Sequence, residues 1–245
     1  MGSSEAVTAE RLAELRRRMA AIPARGAVTA GRVPAADELR REPLPVPSAL
    51  LELLPEGGLA RGSVVSYSGA TSLLAGLLAA VTAAGGHAAA VGLPRLGLLA
   101  VAEMGAQLGR LALIPDPGAD PVEIAAVLLD GLDLVVLGLN GISVPPSRTR
   151  VLAARARSKG ATLVVTGGAW TGATLRMHSK LAGYEGLGRG RGRLRTIHLD
   201  VSVHTRSTSP RTGRLTLHPR DDRVEWLAPQ QNTTPPLEVV GDVAS

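Results

Sequence analysis

Residues 62 to 69, Gly-Ser-Val-Val-Ser-Tyr-Ser-Gly, read as a strand running into a glycine turn, and Ala70-Thr-Ser-Leu-Leu74 then opens an apolar helix. Strand, glycine turn and helix N-terminus are the parts of a phosphate-binding loop, where backbone amides and the helix dipole hold an anion. Phosphoryl chemistry needs more than this frame. It requires G-x-x-x-x-G-K followed by Ser or Thr, the lysine reaching the β/γ oxygens and the hydroxyl holding magnesium. Here Gly69 is followed by no Gly-Lys pair, and the nearest lysine in the chain is Lys159. The segment Ser68, Gly69, Ala70, Thr71 and Ser72 therefore reads as a vestigial loop, able at most to hold an anion weakly. No nucleotide cofactor is expected.

Other chemistries find less support. Cysteine is absent, which excludes disulfides and thiolate-ligated metals. The five histidines (87, 178, 198, 204, 218) show neither H-x-x-x-H nor a carboxylate-flanked spacing, so no metal site is expected. Ser66, Ser68 and Ser72 have no His/Asp framework apparent in sequence, and G-x-S-x-G is missing, which removes the hydrolase reading.

Charge supplies the second functional signal. The nine arginines from Arg189 to Arg223, set against Asp200, Asp221 and Asp222, equal the whole net charge of +6. Within that region Arg189, Arg191, Arg193 and Arg195 alternate with glycine or leucine. Such a strip can contact phosphates and release counterions, or it can be a solvated loop that keeps a strand edge from aggregating. The only nearby aromatics for base stacking are Trp170 and Tyr184. A polyanion or an acidic protein surface fits such a region.

These residues need a frame to position them. A 245-residue chain with 45% hydrophobic residues, two Trp, two Tyr and no Phe builds one core from Leu, Val, Ala and Ile. Thr8 can cap a helix reaching about Ala21, with Leu12, Leu15, Met19 and Ile22 forming its apolar stripe. The expected organisation is an N-terminal helix (1–22), a Pro/Gly-rich linker (23–47), an α/β core (48–228) and a disordered tail (229–245). Within the core, strands at Val64–Tyr67, Ala88–Gly92, Leu111–Ile114, Asp133–Leu137 and Ala161–Thr166 alternate with helices. The helices are placed at Thr71–Ala84, Leu98–Leu108, Pro121–Leu129 (capped by Asp120) and Arg148–Lys159. Short continuous Val/Leu strands of this kind imply a parallel sheet covered on both faces. After Trp170 the pattern changes to edge-type strands at Arg193–His204 and Arg214–His218. The N-terminus shows no leader pattern, and Ala6 stands where a myristoylation signal wants Ser or Thr. A cytoplasmic protein without a membrane span is expected.

The run Leu53-Leu-Pro-Glu-Gly-Gly-Leu-Ala-Arg-Gly-Ser-Val-Val65 resembles the entry to the RecA core, and the likeness extends over roughly Leu50 to His218. More narrowly, the chain looks like the actinobacterial ImuA-prime family, the RecA-like proteins of mutagenesis cassettes. The stretches that carry this are Val65-Ser-Tyr-Ser-Gly-Ala-Thr-Ser-Leu-Leu74, Val91-Gly-Leu-Pro94, Ile114-Pro-Asp-Pro-Gly118, Leu128-Leu-Asp-Gly-Leu-Asp-Leu-Val-Val136 and Gly186-Leu-Gly-Arg-Gly-Arg-Gly-Arg-Leu194. The resemblance implies a RecA-like, mainly parallel sheet with helices on both faces and a separate N-terminal helix. Carried across position by position, it also marks losses. The catalytic glutamate falls near Pro94, the Walker B aspartate at Gly138, and the γ-phosphate-sensing glutamine at Gly167 or Gly168. Without lysine, magnesium carboxylate and water-orienting acid, phosphoryl transfer lacks its electrostatic stabilisation, so no enzymatic activity is expected.

The ImuA-prime resemblance further implies a non-catalytic adaptor in damage-induced translesion synthesis, partnering an inactive Y-family polymerase relative and an error-prone C-family polymerase. By analogy with RecA, the Leu12/Leu15/Met19 stripe would dock on a RecA-type surface or a second copy. The alternative is a salt-sensitive DNA-binding module using Arg189 to Arg195. A cryptic ATPase would have to borrow a cation such as Arg95.

Overall fold

The computed structural model describes residues 42–188, 191–205, 209–221 and 223–227. The Leu12/Leu15/Met19 stripe, the linker as far as residue 41, Arg189 and the tail after Pro229 lie outside the described residues.

Nine strands form one sheet: β1 (Val64–Ser68), β2 (Ala88–Val91), β3 (Leu111–Ile114), β4 (Leu134–Gly138), β5 (Thr162–Thr166), β6 (Leu175–Gly188), β7 (Arg191–Thr205), β8 (Arg211–Arg220) and β9 (Arg223–Leu227). Their order is β3-β2-β4-β5-β1-β6-β7-β8-β9. The first six run parallel, and β7, β8 and β9 continue the sheet antiparallel. Strands β2 and β4 are buried along their whole length, as continuous apolar runs must be when helices cover both faces.

Helices α1 (Thr71–Ala83), α2 (Leu98–Glu103), α3 (Pro121–Leu128) and α4 (Pro146–Lys159) follow the first four strands in turn. One core layer joins α1 and a 3-10 turn at Ser48–Leu53 to Val65, Tyr67, Val136, Met177, Leu199 and Leu215. The other joins Val122 and Ala125 of α3 and Leu152 and Ala156 of α4 to Val91, Val135, Leu137 and Leu163. Helix α1 is uncharged because the sheet wraps it. Trp226 of β9 lies against Gly76, where a Cβ would sit 2.7 Å from the indole. Leu44 and Val46, which composition groups with the linker, are buried in the same layer, and Leu44 bridges to Leu59.

Local signals act as the sequence dictates at several ends. Asp120 Oδ1 accepts from the amides of Val122 (3.2 Å) and Glu123 (3.1 Å), with Pro121 in the first turn of α3. Gly160 (φ 68°) closes α4 in the left-handed region. Helix α2 stops at Glu103, short of the expected Leu108, because the chain turns through Gly105 at φ 93° before a 3-10 turn at Leu108–Arg110.

The larger departure is β6, a fourteen-residue strand where sequence reading places nothing regular. Leu175, Met177 and Ser179 alternate with the exposed Arg176, His178 and Lys180, a period of two. A buried serine and the glycines at 183, 186 and 188 disguise it. Strand β6 runs beside β1 and returns as β7, the last pair being Gly188 with Arg191. Arg191, Arg193 and Arg195 therefore lie on β7, along an edge that β8 leaves open. They occupy the end of a two-stranded ribbon, since β8 pairs with β7 only from Ile197 to Val203.

At the opposite end of the sheet Asp133 ties three segments together. Its Oδ1 accepts from Arg61 Nη1 at 2.7 Å, its Oδ2 from the His87 amide at 2.9 Å, and its carbonyl from the Thr162 amide at 2.8 Å. Burial favours the neutral acid, but the Arg61 and His87 hydrogen bonds outweigh it and hold the carboxyl below the usual range. A folded pKa below the unfolded one adds stability above the unfolded value, and that stability is lost as pH falls through the folded one. Asp133→Ala should lower stability by about 1–2 kcal/mol at pH 7, allowing for partial solvent screening. The difference from wild type should shrink at pH 3, as urea titrations at the two pH values will report.

Candidate functional site

The positions singled out by sequence gather at the C-terminal ends of β1, β2, β4 and β5, where a doubly covered sheet binds its ligands. Only Gly69 and Ala70 join β1 to α1, far fewer residues than a phosphate-wrapping loop needs. Gly69 adopts φ 127°, and a Cβ there would overlap the Ser179 carbonyl, so β6 lies directly on the turn.

Ser179, 2% exposed, fills that turn. Its Oγ accepts from the Ala70 amide at 2.9 Å and lies 2.5 Å from the Tyr67 hydroxyl. Tyr67 in turn donates to the Ala70 carbonyl at 2.5 Å, which leaves the serine to donate to the phenol oxygen. Burial pushes the Tyr67 phenol up to about 12, partly countered by the Ser179 hydrogen bond, so it stays a neutral donor. An amide that a phosphate-binding loop would offer to its ligand is thus satisfied from within. Alongside, Ser68 Oγ pairs with His178 Nδ1 at 2.9 Å. No carboxylate among the described residues hydrogen-bonds His178, so the pair lacks the orienting acid of a nucleophilic triad. Thr71 is exposed and Ser72 partly buried at the start of α1.

The remaining strand ends are closed by backbone. A Cβ on Gly138, the last residue of β4, would overlap the Gly92 carbonyl and lie 2.8 Å from Leu93 Cδ2. Gly92 reciprocates at φ 66°, its own Cβ falling 2.5 Å from the Gly138 carbonyl. Asn140 Nδ2 donates to the Gly92 carbonyl at 3.2 Å. After β5, a Cβ on Gly168 would overlap the Ile142 carbonyl, and Gly141 donates to the Gly167 carbonyl at 2.5 Å. Pro94 and Arg95 lie exposed in the turn after β2. At Gly138 and Gly168 the missing side chains are therefore matched by a backbone that has no room for them, whereas Pro94 stands in the open.

The other sequence candidates lie apart from this edge. Arg193 and Arg195 are exposed on the ribbon, and Arg191 begins β7. His198 bridges Glu185 (2.8 Å) and Thr216 (3.1 Å), and His218 pairs with Thr196 at 3.4 Å. No group of three metal-binding side chains occurs among the described residues. Sequence reasoning missed Tyr67, His178 and Ser179. Their one available signal is the alternation along β6, which places a serine on the face that otherwise carries Leu175 and Met177.

The fold is RecA-like, and Ser179 of β6 fills the turn after β1. Two solved structures share the fold. The KaiC-like protein PH0186 from Pyrococcus horikoshii OT3 matches with a TM-score of 0.51 at 13% identity, covering 76% of this chain and 98% of that one. The RadB recombinase matches with a TM-score of 0.50 at 14% identity, covering 72% and 96%. In sequence, the uncharacterized protein Rv3395c of Mycobacterium tuberculosis is 57% identical over 141 residues, which span 57% of this chain and 69% of that protein. Residues 52–172 match the MT3502 N-terminal domain, and the chain belongs to the MT3502 family. The matched domain ends before β6, so the strand that fills the turn lies beyond it.

Proposed function

We propose that this protein is a RecA-like accessory factor of damage-induced mutagenesis that acts in the cytoplasm by binding other proteins, without nucleotide turnover. The observation that carries this reading is the filled edge: Ser179 occupies the turn after β1, and Gly138 and Gly168 leave no space for side chains. A RecA-like fold with this turn filled retains its surfaces as its means of action. The ImuA-prime resemblance names the partners: an inactive Y-family polymerase-like protein and an error-prone C-family polymerase, with RecA or a second copy as further candidates. Among the described residues no helix is long and apolar enough to cross a membrane, in keeping with this setting.

A second reading, a DNA-binding module, is favoured by one observation. Arg193 and Arg195 are exposed on a ribbon extending beyond β8, a form suited to phosphate contacts. Affinity capture from DNA-damaged cells, with and without nuclease, separates the two. Polymerase-type partners retained after nuclease support the adaptor, whereas their complete loss on nuclease treatment puts the DNA-binding module first.

A further inference from the structure

The face of the sheet carrying α3 and α4 is left bare over β6, β7 and β8 among the described residues. Ser66 and Ser68 of β1 share that face with Val64, which packs in the α3/α4 layer. The register sets Arg176, His178 and Lys180 of β6 beside His204, Ser202 and Asp200 of β7, and Asp200 beside Arg214 of β8. Asp200 is the acid beside the cations of this floor, and Arg214 holds it at 2.7 and 3.3 Å; further along the same face Glu185 is held by His198 at 2.8 Å.

Helix α4 forms the wall, and it sorts its cations. Towards α3, Arg148 pairs with Asp120 at 2.6 Å, and Arg155 and Lys159 pair with Asp130 at 2.5 and 3.6 Å. Arg150 and Arg157 point away and form no ion pair among the described residues. They line a groove of about 470 Å³ with Thr149 and Ala153 of α4 and with Thr171 and Gly172. Arg157 also lines a second hollow with Thr174 and Leu175, at the start of the strand that carries Arg176 of the floor.

We propose that this shelf docks an acidic α-helical segment of a partner protein. The proposal deepens the adaptor reading and rests on it. Charge complementarity supplies the attraction and the selectivity. Shape argues for a helix. The wall from Pro146 to Arg157 is about 17 Å long at 1.5 Å per residue, and its small residues (Thr149, Ala153, Thr171, Gly172) admit a second helix at packing distance. A helix there would complete the layer that α3 and α4 begin. Nucleic acid fits less well, because no exposed aromatic stands on this face to stack a base. Trp170 and Tyr67 are buried, and Tyr184 pairs with Ile197 on the other side of the ribbon.

The test uses the full chain, a helical Glu/Ala peptide of about twenty residues and a single-stranded oligonucleotide of matched net charge, with binding read by fluorescence anisotropy. Arg150→Glu/Arg157→Glu should weaken peptide binding at least about tenfold and oligonucleotide binding less than about twofold. Arg193→Glu/Arg195→Glu should leave the peptide nearly unaffected. Circular dichroism and thermal melting confirm that both variants fold. Equal or greater loss of the oligonucleotide in the α4 variant overturns the proposal in favour of nucleic acid, and unchanged peptide binding removes the shelf altogether. Capture of polymerase-type partners is scored separately. Partners retained by Arg150→Glu/Arg157→Glu overturn the shelf as their dock while sparing the adaptor reading. If wild type captures no such partner but binds the peptide through the shelf, the mutagenesis role fails and the shelf stands.

Discussion

Gly138→Asp, the substitution that restores a Walker B carboxylate at its expected place, should destabilise the protein by about 3–5 kcal/mol and give no ATP turnover. Two costs combine. The new Cβ would overlap the Gly92 carbonyl, so the ends of β2 and β4 must part, and forced expansion of a packed site typically costs about 1–3 kcal/mol. The carboxylate would then stand in a buried backbone junction against the Gly92 carbonyl and Leu93, where an unpaired charge is strongly unfavourable. At about 2–4 °C per kcal/mol for a chain of this size, the melting temperature should fall by at least about 6 °C. Gly138→Ala isolates the steric part and should cost less. Should Gly138→Asp melt within two or three degrees of wild type, the junction is soft, and the loss of the carboxylate would say nothing about closure.

Much of the frame is legible in the sequence because the parallel strands are continuous apolar runs and their helices carry strong end signals. Asp120 with Pro121 marks the start of α3, and Gly160 the end of α4. The vestigial character of the site is legible too, since missing lysine and carboxylates are visible as absences at fixed spacing. What fills the space is not. Ser179 lies more than a hundred residues from Ala70 in sequence, and nothing local reveals that β6 will lie against β1. The glycines at 138 and 168 read as lost side chains, whereas the fold reveals backbone contacts that exclude side chains there. The basic shelf is invisible for the same reason. Arg150 and Arg157 belong to α4 and Arg176 to β6, and only the register of β6 beside β1 sets them on one face of the sheet.

Ser179→Ala should test whether the turn after β1 is closed by its short length or by the serine that fills it. Removing the hydroxyl leaves the Ala70 amide without its acceptor and the Tyr67 oxygen without its donor, a loss of about 2 kcal/mol for a buried network of this kind. Tyr67→Phe removes the phenol from the same network, so the two substitutions should couple, with an interaction energy of about 0.5–3 kcal/mol in a double-mutant cycle. The functional readout is an anion. With the Ala70 amide freed at the N-terminus of α1, sulfate should stabilise Ser179→Ala by about 0.5–1 kcal/mol more than wild type at matched ionic strength. The comparison with wild type cancels the general salting effect of sulfate. A gain confined to the variant would identify Ser179 as the group that displaced the ancestral ligand. Equal responses in both proteins would place the closure in the two-residue connection itself, where adding back a hydroxyl acceptor or removing one changes stability but never admits a phosphate.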